Sequence, residues 1–240
     1  MQKPTVLCYI PARGGSKRIP KKNSKLFCGK PLLAYTIEQS KQLQFVDRVV
    51  VDTDSLHVAR IAKKYGADVP YIRPTRLSGD KSKVIDALLY LLQHLKKENY
   101  TPDYVLILQT TSPLRELGDI EACWKRMQKG GATTVLTVCP THPQLYHLGP
   151  KGELSLANKK AASSSNTQAW KPGYLLNGCF AYIVKTKELV QEKSVLTKKT
   201  KAVVCPRWRS VDLDTPEDWV MAEFLYRNKK KIESALKRFN

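Results

Sequence analysis

The chain has 240 residues, 42% of them hydrophobic, enough to bury one full core as a single domain that carries an excursion. Its 41 Lys and Arg against 21 Asp and Glu leave a formal charge of +20, which speaks to polyanionic partners and says nothing about fold. Six scattered cysteines show neither CxxC pairs nor zinc spacing, and no run approaches the ~20 apolar residues of a membrane span, which argues against zinc-bound and membrane-spanning classes.

Short β-rich runs then alternate with amphipathic stretches. TVLCYI (5–10) predicts the first strand. In 31–44, Leu32, Leu33, Thr36, Ile37, Ser40 and Leu43 fall on one helical face, and Pro31 suits a first helical position. RVVVD (48–52) predicts a second strand, 55–65 a second helix and DVPYI (68–72) a third strand. The next helix, over 84–95, carries the stripe Val84, Leu88, Leu91, Leu92 and Leu95. DYVLILQ (103–109), a helix over 118–129 and TTVLTV (133–138) complete the series. Five such alternations predict an α/β fold with a mainly parallel, Rossmann-like sheet, helices on both faces, and ligands beyond the carboxyl ends of the strands.

The alternation stops at 140. PTHPQLYHLGPKGEL suits a hairpin around Gly149 to Gly152, and the polar NKKAASSSNTQAWKPGY makes 140–176 too long for an ordinary loop, so an inserted arm or lid is expected. Residues 1–139 and 177–240 then form the α/β domain. Core-like sequence resumes with LLNGCFAYIV, followed by a short helix near 186–191, a strand over 201–205, a helix after Thr215, and the basic amphipathic tail RNKKKIESALKRFN.

The loop IPARGGSKRIPKKN (10–23) follows the first strand, where an α/β sheet presents backbone amides. Gly14 and Gly15 permit close backbone approach, and Arg13, Lys17, Arg18, Lys21 and Lys22 can surround a polyphosphate. It fits neither the P-loop nor the dinucleotide fingerprint. The bland alternative is a solvated basic loop.

IPARGGSKRIPKKN resembles the N-terminal signature of the acylneuraminate cytidylyltransferases, also called CMP-sialic acid synthetases. The resemblance continues through KLFCGKPLLAYTI (25–37), VVVDTDS (49–55), RPTRLSGD (73–80), LQTTSPLR (108–115), NGCFAYI (177–183) and SVDLDTPEDW (210–219). It implies a nucleotidyltransferase fold, a homodimer with the protruding arm as its dimerisation element, and transfer of CMP from CTP to an acidic nine-carbon sugar. The cofactor implied is Mg²⁺, with Mn²⁺ able to substitute. By the same resemblance, Arg13, Gly14, Gly15, Ser16, Lys17, Lys22 and Asn23 form the CTP loop, and Arg73 and Asp80 sit around the nucleotide. Gln109, Ser112, Gln168 and Asn177 fall on the sugar side, Asp212 and Asp214 on the metal, and Arg13, Lys22, Asp212 and Asp214 are the catalytic set. Family members carry an arginine beside the glutamine that precedes the NG turn; here NTQAWKPGYLLNG supplies Gln168 without it. KSKV (81–84) replaces the family's TASS phrase. KRIPKKN and FCGKP lean toward branches that activate pseudaminic or legionaminic acid.

The chemistry suits these residue types. An anomeric hydroxyl attacking the α-phosphorus of CTP builds negative charge on both sides of an in-line displacement, which cations and Mg²⁺ stabilise. In VDLDTP the carboxylates at 212 and 214 share a side if the segment is extended. TPED reads as a helix start, with Thr215 as N-cap, Pro216 in the first position and Asp218 in the third. A DxD pair alone is more often an acidic turn or cap. Two other functions were weighed, an eight-carbon ketodeoxy acid cytidylyltransferase and a non-catalytic basic paralogue that binds polyanions. The eight-carbon enzymes lack GGS in this loop. No RRM, KH, helix-turn-helix or zinc signature is present and no run is long enough to span a membrane, so neither nucleic acid nor a membrane is the expected partner. With no signal-peptide pattern in MQKPTVLCYIPARGG, the cytoplasm is the expected location.

Overall fold

The computed structural model describes residues 3–80, 82–157, 171–178 and 180–239. Strand β1 (Val6–Pro11) leads into the basic loop. A two-stranded hairpin, β2 (Leu26–Phe27) and β3 (Lys30–Pro31), precedes α1 (Leu32–Gln42). Then come β4 (Arg48–Asp52), α2 (Leu56–Lys64), α3 (Val84–Lys97), β5 (Tyr104–Ile107), α4 (Leu117–Gln128) and β6 (Thr134–Thr141). The short strands β7 (Tyr146–Leu148) and β8 (Leu154–Leu156) form the expected hairpin. The chain closes with β9 (Gly173–Leu176), β10 (Tyr182–Lys185), α5 (Thr186–Glu192), β11 (Thr200–Val204) and α6 (Pro216–Leu236).

The central sheet runs β4-β1-β5-β10-β6-β11, with β9 pairing alongside β6. β1 pairs in parallel with β4 and β5, and β6 with β11, while β10 and β9 run against their neighbours. Alternate β1 residues separate the two layers, as the period of two requires. Val6, Cys8 and Ile10 join Leu33 and Ile37 of α1, Val58 and Ala62 of α2, and Ile120 and Met127 of α4. Leu7 and Tyr9 face the other way, toward Leu88, Leu91 and Leu95 of α3 and Leu189 of α5. A third cluster fastens α6 to the front of α1 and the β2-β3 hairpin through Phe27, Leu32, Tyr35, Leu213 and Trp219.

Three details differ from the sequence reading. The strand expected over 68–72 reduces to a single parallel bridge from Asp68 to Val50, because Pro70 has no N–H to continue a ladder. Pro31 lies in β3 and caps α1 with an extended backbone, so the helix starts one residue later. The basic tail continues α6 as one 21-residue helix. The arm is also rooted in the sheet: β6 extends to Thr141, whose partner is Gly173, so the chain leaves and re-enters the sheet at one place. No helix among the described residues is long and apolar enough to cross a membrane.

Candidate active site at the carboxyl ends of strands one and five

From β1 the chain crosses to β4 on one side of the sheet and later to β5 on the other, which makes the β1/β5 boundary a switch point. Ligands of open α/β sheets bind in the crevice that opens there. A cavity of about 540 Å³ lies at this place, between the loop after β1, the turn after β5 and the segments around Arg73, Asp80 and Asp214. Arg13, Gly15, Ser16, Lys17, Lys22, Asn23, Arg73, Asp80, Gln109 and Asp214 line it, together with Arg18, Ser82, Lys83, Thr110 and Thr111.

The loop is tied down by short contacts. The Gly14 N–H donates to Asp54 Oδ1 at 2.7 Å, and a Cβ at Gly14 would sit 2.6 Å from Ser55 Cβ, so only glycine lets the backbone come this near. Buried Asn23 straps the loop to β5: its Nδ2 donates to the Arg13 carbonyl at 2.7 Å, and its Oδ1 accepts from Thr110 Oγ1 at 2.6 Å. Asn23 therefore shapes the loop from within. Arg13 donates to the carbonyls of Ser78 and Gly79, and Lys17 pairs with exposed Asp80 at 2.5 Å. That hydrogen bond from Lys17 holds the Asp80 carboxyl below its ordinary range.

Arg73 is 5% exposed and is fixed by Asp52, through a 2.8 Å ion pair and a 2.7 Å bond to the Asp52 carbonyl. Tyr9 donates its hydroxyl to the same carboxylate at 2.9 Å. Burial raises the Asp52 carboxyl even against Arg73, so the pair depends on its partners for charge. Arg73 thus forms the rigid floor of the cavity.

The acidic segment faces the loop. The Leu213 N–H bonds the Thr111 carbonyl at 2.9 Å, and buried Leu213 enters the third core cluster. Lys22 Nζ donates to the Leu213 carbonyl at 2.6 Å and lies 3.9 Å from Asp214; Arg18 meets Asp214 at 2.9 Å. The segment is tighter than the extended form considered from sequence, because the Asp214 N–H turns back to the Asp212 carbonyl at 2.9 Å. Asp212 packs its carboxylate against Gly178, where an added Cβ would come within 2.8 Å of it. Burial raises the Asp212 carboxyl, opposed by a hydrogen bond from Thr111 and, less strongly, by Lys22, and its buried Oδ1 has no hydrogen-bond partner among the described residues. Burial also lowers the Lys22 ammonium, with Asp214 and Asp212 working against that shift. Thr215 and Asp218 form the expected capping box, with Pro216 at the first helical position, which accounts for them structurally.

The sugar-side residues are arranged differently. Gln109 reaches the cavity. Ser112 is fully buried, its hydroxyl has no partner among the described residues, and it does not line the cavity. Asn177 is 3% exposed and spends its amide on Thr137 Oγ1 and Ser210 Oγ. Gln168 lies outside the described residues.

The sequence reading missed several contributors. Asp54 and Thr110 act on the loop only because β4 and β5 flank β1, a relation no local pattern encodes. Arg115, buried at 2% exposure, donates to the carbonyls of Gln109 and Phe180 and to Thr36 Oγ1, so it braces the turn after β5. Its place in LQTTSPLR was visible; its direction was not. Among the described residues no group of three or more His, Cys, Asp or Glu side chains is arranged to hold a metal.

Residues 7–199 match the family described as Cytidylyltransferase. The chain is 35% identical over 228 residues to a CMP-N,N'-diacetyllegionaminic acid synthase of Legionella pneumophila, covering 92% of this chain and 95% of the relative. It is 30% identical over 224 residues to a pseudaminic acid cytidylyltransferase of Campylobacter jejuni, with coverage of 92% and 96%. In fold it resembles a CMP:2-keto-3-deoxy-manno-octonic acid synthetase solved with CTP, at a TM-score of 0.68 and 17% identity, covering 94% of this chain and 99% of that one.

Proposed function

The chain belongs to the cytidylyltransferase family, and on that premise we propose that it transfers CMP from CTP to the anomeric hydroxyl of a nonulosonic acid, releasing pyrophosphate. The observation that carries the reading is the crevice at the β1/β5 switch point, where a cationic loop faces Asp214 across a cavity of nucleotide size.

In this reaction the sugar oxygen forms a bond to the α-phosphorus, the bond from that phosphorus to the β-phosphate bridging oxygen breaks, and the hydroxyl proton passes to solvent. Arg13, Lys17 and Arg18 receive the triphosphate. Asp80, Asp214 and backbone carbonyls hold them, and phosphate oxygens would take over those contacts. Lys22, held near the acidic pair, sits where charge develops on the reacting phosphate. Gly14, Asn23 and Arg73 keep the loop and floor in place, so little reorganisation accompanies reaction.

Asp212 and Asp214 would hold Mg²⁺ or Mn²⁺. The fit rests on the buried Asp212 Oδ1, which has no partner among the described residues, and on two carboxylates, an oxygen donor set that suits such a cation. Bound there, the ion would supply charge neutralisation for the phosphoryl transfer. Gln109, Gln168, Ser112 and Asn177 belong to the acceptor side, Asn177 by supporting Gly178 against Asp212.

The arm pairs with a second copy of the chain in this reading. Tyr146, Leu148 and Leu154 of the hairpin and Tyr174 to Leu176 of β9 are exposed apolar side chains, and a two-fold contact covers the same patch twice. A dimer mass in light scattering is expected; a monomer at micromolar concentration removes this element. The test of the reaction is pyrophosphate release from CTP and Mg²⁺ with a panel of nonulosonic acids. Release with pseudaminic or legionaminic acid supports the proposal, and release only with an eight-carbon ketodeoxy acid, or none, overturns it.

A further inference from the structure

The mechanism leaves one large surface unused, the outer face of α6. Val220, Met221 and Phe224 are 69%, 57% and 63% exposed, and at ~100° per residue they fall within a single arc of about 100°. At the far end Phe239 is 87% exposed. The opposite face of the helix is occupied: Trp219 and Ala222 are buried, and Lys229 reaches back to Glu116 of the α4 capping box at 2.6 Å.

Charge accompanies the apolar stripe. Arg227, Lys230, Lys231, Lys237 and Arg238 are exposed along the same helix and the turn that ends it. Of the acids on this helix, Glu223 pairs with Arg227 and Glu233 with Lys229, while exposed Glu217 in the first turn is outnumbered by the cations that follow it. A cationic rim beside protruding aromatic and aliphatic side chains is complementary to a surface that is apolar below and anionic above. A second copy of the same face would set like charges against each other. Nucleic acid would use the cations and leave Val220, Met221 and Phe224 in water.

We propose that α6 is a peripheral docking surface for anionic phospholipid, with Val220, Met221, Phe224 and Phe239 entering the headgroup boundary and Lys230 and Lys231 contacting lipid phosphates. This surface is independent of the catalytic reading. It replaces the expectation that the chain has no membrane partner, which rested on the lack of a spanning segment. The helix starts two residues after Asp214, so docking would hold the acidic end of the cleft close to the membrane.

The test is co-sedimentation of the full chain with vesicles of phosphatidylcholine alone and with about one-third phosphatidylglycerol, at low and high salt. Binding to the anionic vesicles alone, weakened by salt, is expected. Lys230→Gln and Lys231→Gln should each lower partitioning about fivefold. Phe224→Ser with Phe239→Ser should lower it about tenfold. An unchanged thermal shift with CTP shows that each variant is folded. The proposal is overturned by equal binding to neutral vesicles, by no binding, or by indifference to the phenylalanine changes. Two further results would also overturn it: tighter retention by single-stranded RNA through the lysines alone, and a halving of the particle mass in Phe224→Ser that assigns the face to a second copy.

Discussion

On the nucleotide side of the cleft, Gly14, Asn23 and Lys22 are each fixed by another part of the same chain, namely Asp54, Thr110 and Leu213. Of the residues expected on the acceptor side, Gln109 lines the cavity, Ser112 and Asn177 are turned into the protein, and Gln168 falls in the arm, outside the described residues. The first region is preorganised by contacts between neighbouring strands. The second, in the proposed reading, depends on a segment that leaves the sheet at Thr141 and returns at Gly173. On the proposed reading the difference gives nucleotide binding and turnover separate structural requirements, which substitutions should pull apart.

The largest effect should come from breaking the floor of the nucleotide side. Asp52→Asn removes the charge opposite buried Arg73, and losing one partner of a buried pair costs about 3–5 kcal/mol. Denaturant melts should show that loss in stability together with weaker CTP binding. A stable variant with normal affinity would show that Arg73 does not depend on Asp52.

Next is the junction between the two regions. Asp212→Asn should reduce kcat by ~10² to 10³ while leaving the fold intact. Burial raises the Asp212 carboxyl, so its contribution to stability is fully present below the unfolded value near 3.8 and is lost as pH rises through the folded value. In metal-free buffer the variant should therefore gain on the wild type in melting temperature as pH climbs from about 4 toward neutrality. Added Mg²⁺ should stabilise the wild type and not the variant. A lower melting temperature with near-normal turnover would assign both acids to capping α6.

A smaller effect is expected at the loop. Gly14→Ala forces a methyl into Ser55, and because displacement of about 1 Å can cost 10²-fold, kcat/KM for CTP should fall roughly tenfold or more. The effect should appear in the CTP titration and not in that of the sugar. The smallest belongs to the strap: Thr110→Val leaves the buried Asn23 Oδ1 unpaired and should weaken CTP about fivefold, while Thr110→Ser restores it. Equal behaviour of the two variants would make Thr110 a packing residue only.

Much of the nucleotide side was legible because its chemistry is written contiguously. One loop carries Arg13 to Asn23, and VDLDTPED carries both the acids and the cap that follows them. Asp54, Thr110 and Arg115 were not legible as partners, because their roles arise from β1 lying between β4 and β5. For Ser112 and Asn177 the motif gave the position and not the direction of the side chain, which burial in the turn after β5 and the bonds to Thr137 of β6 and to Ser210 decide. Pro70 was a local signal against the strand over 68–72 that the β-branched and aromatic neighbours obscured. The tail read as separate because Arg227 to Lys231 interrupt the apolar pattern, although nothing in those residues ends a helix.

Removing residues 145–172 joins Gln144 to Gly173, which already packs on the backbone of His142 and Pro143, so the excision closes without crossing the sheet. Calorimetric titration of this shortened chain with CTP, beside the intact one, tests most directly whether the nucleotide side is complete without the arm. The account predicts a Kd within about threefold of the intact chain, since two-fold to threefold is the ordinary scatter of small context effects, with pyrophosphate release abolished. Loss of CTP binding in a chain that still melts cooperatively would contradict it.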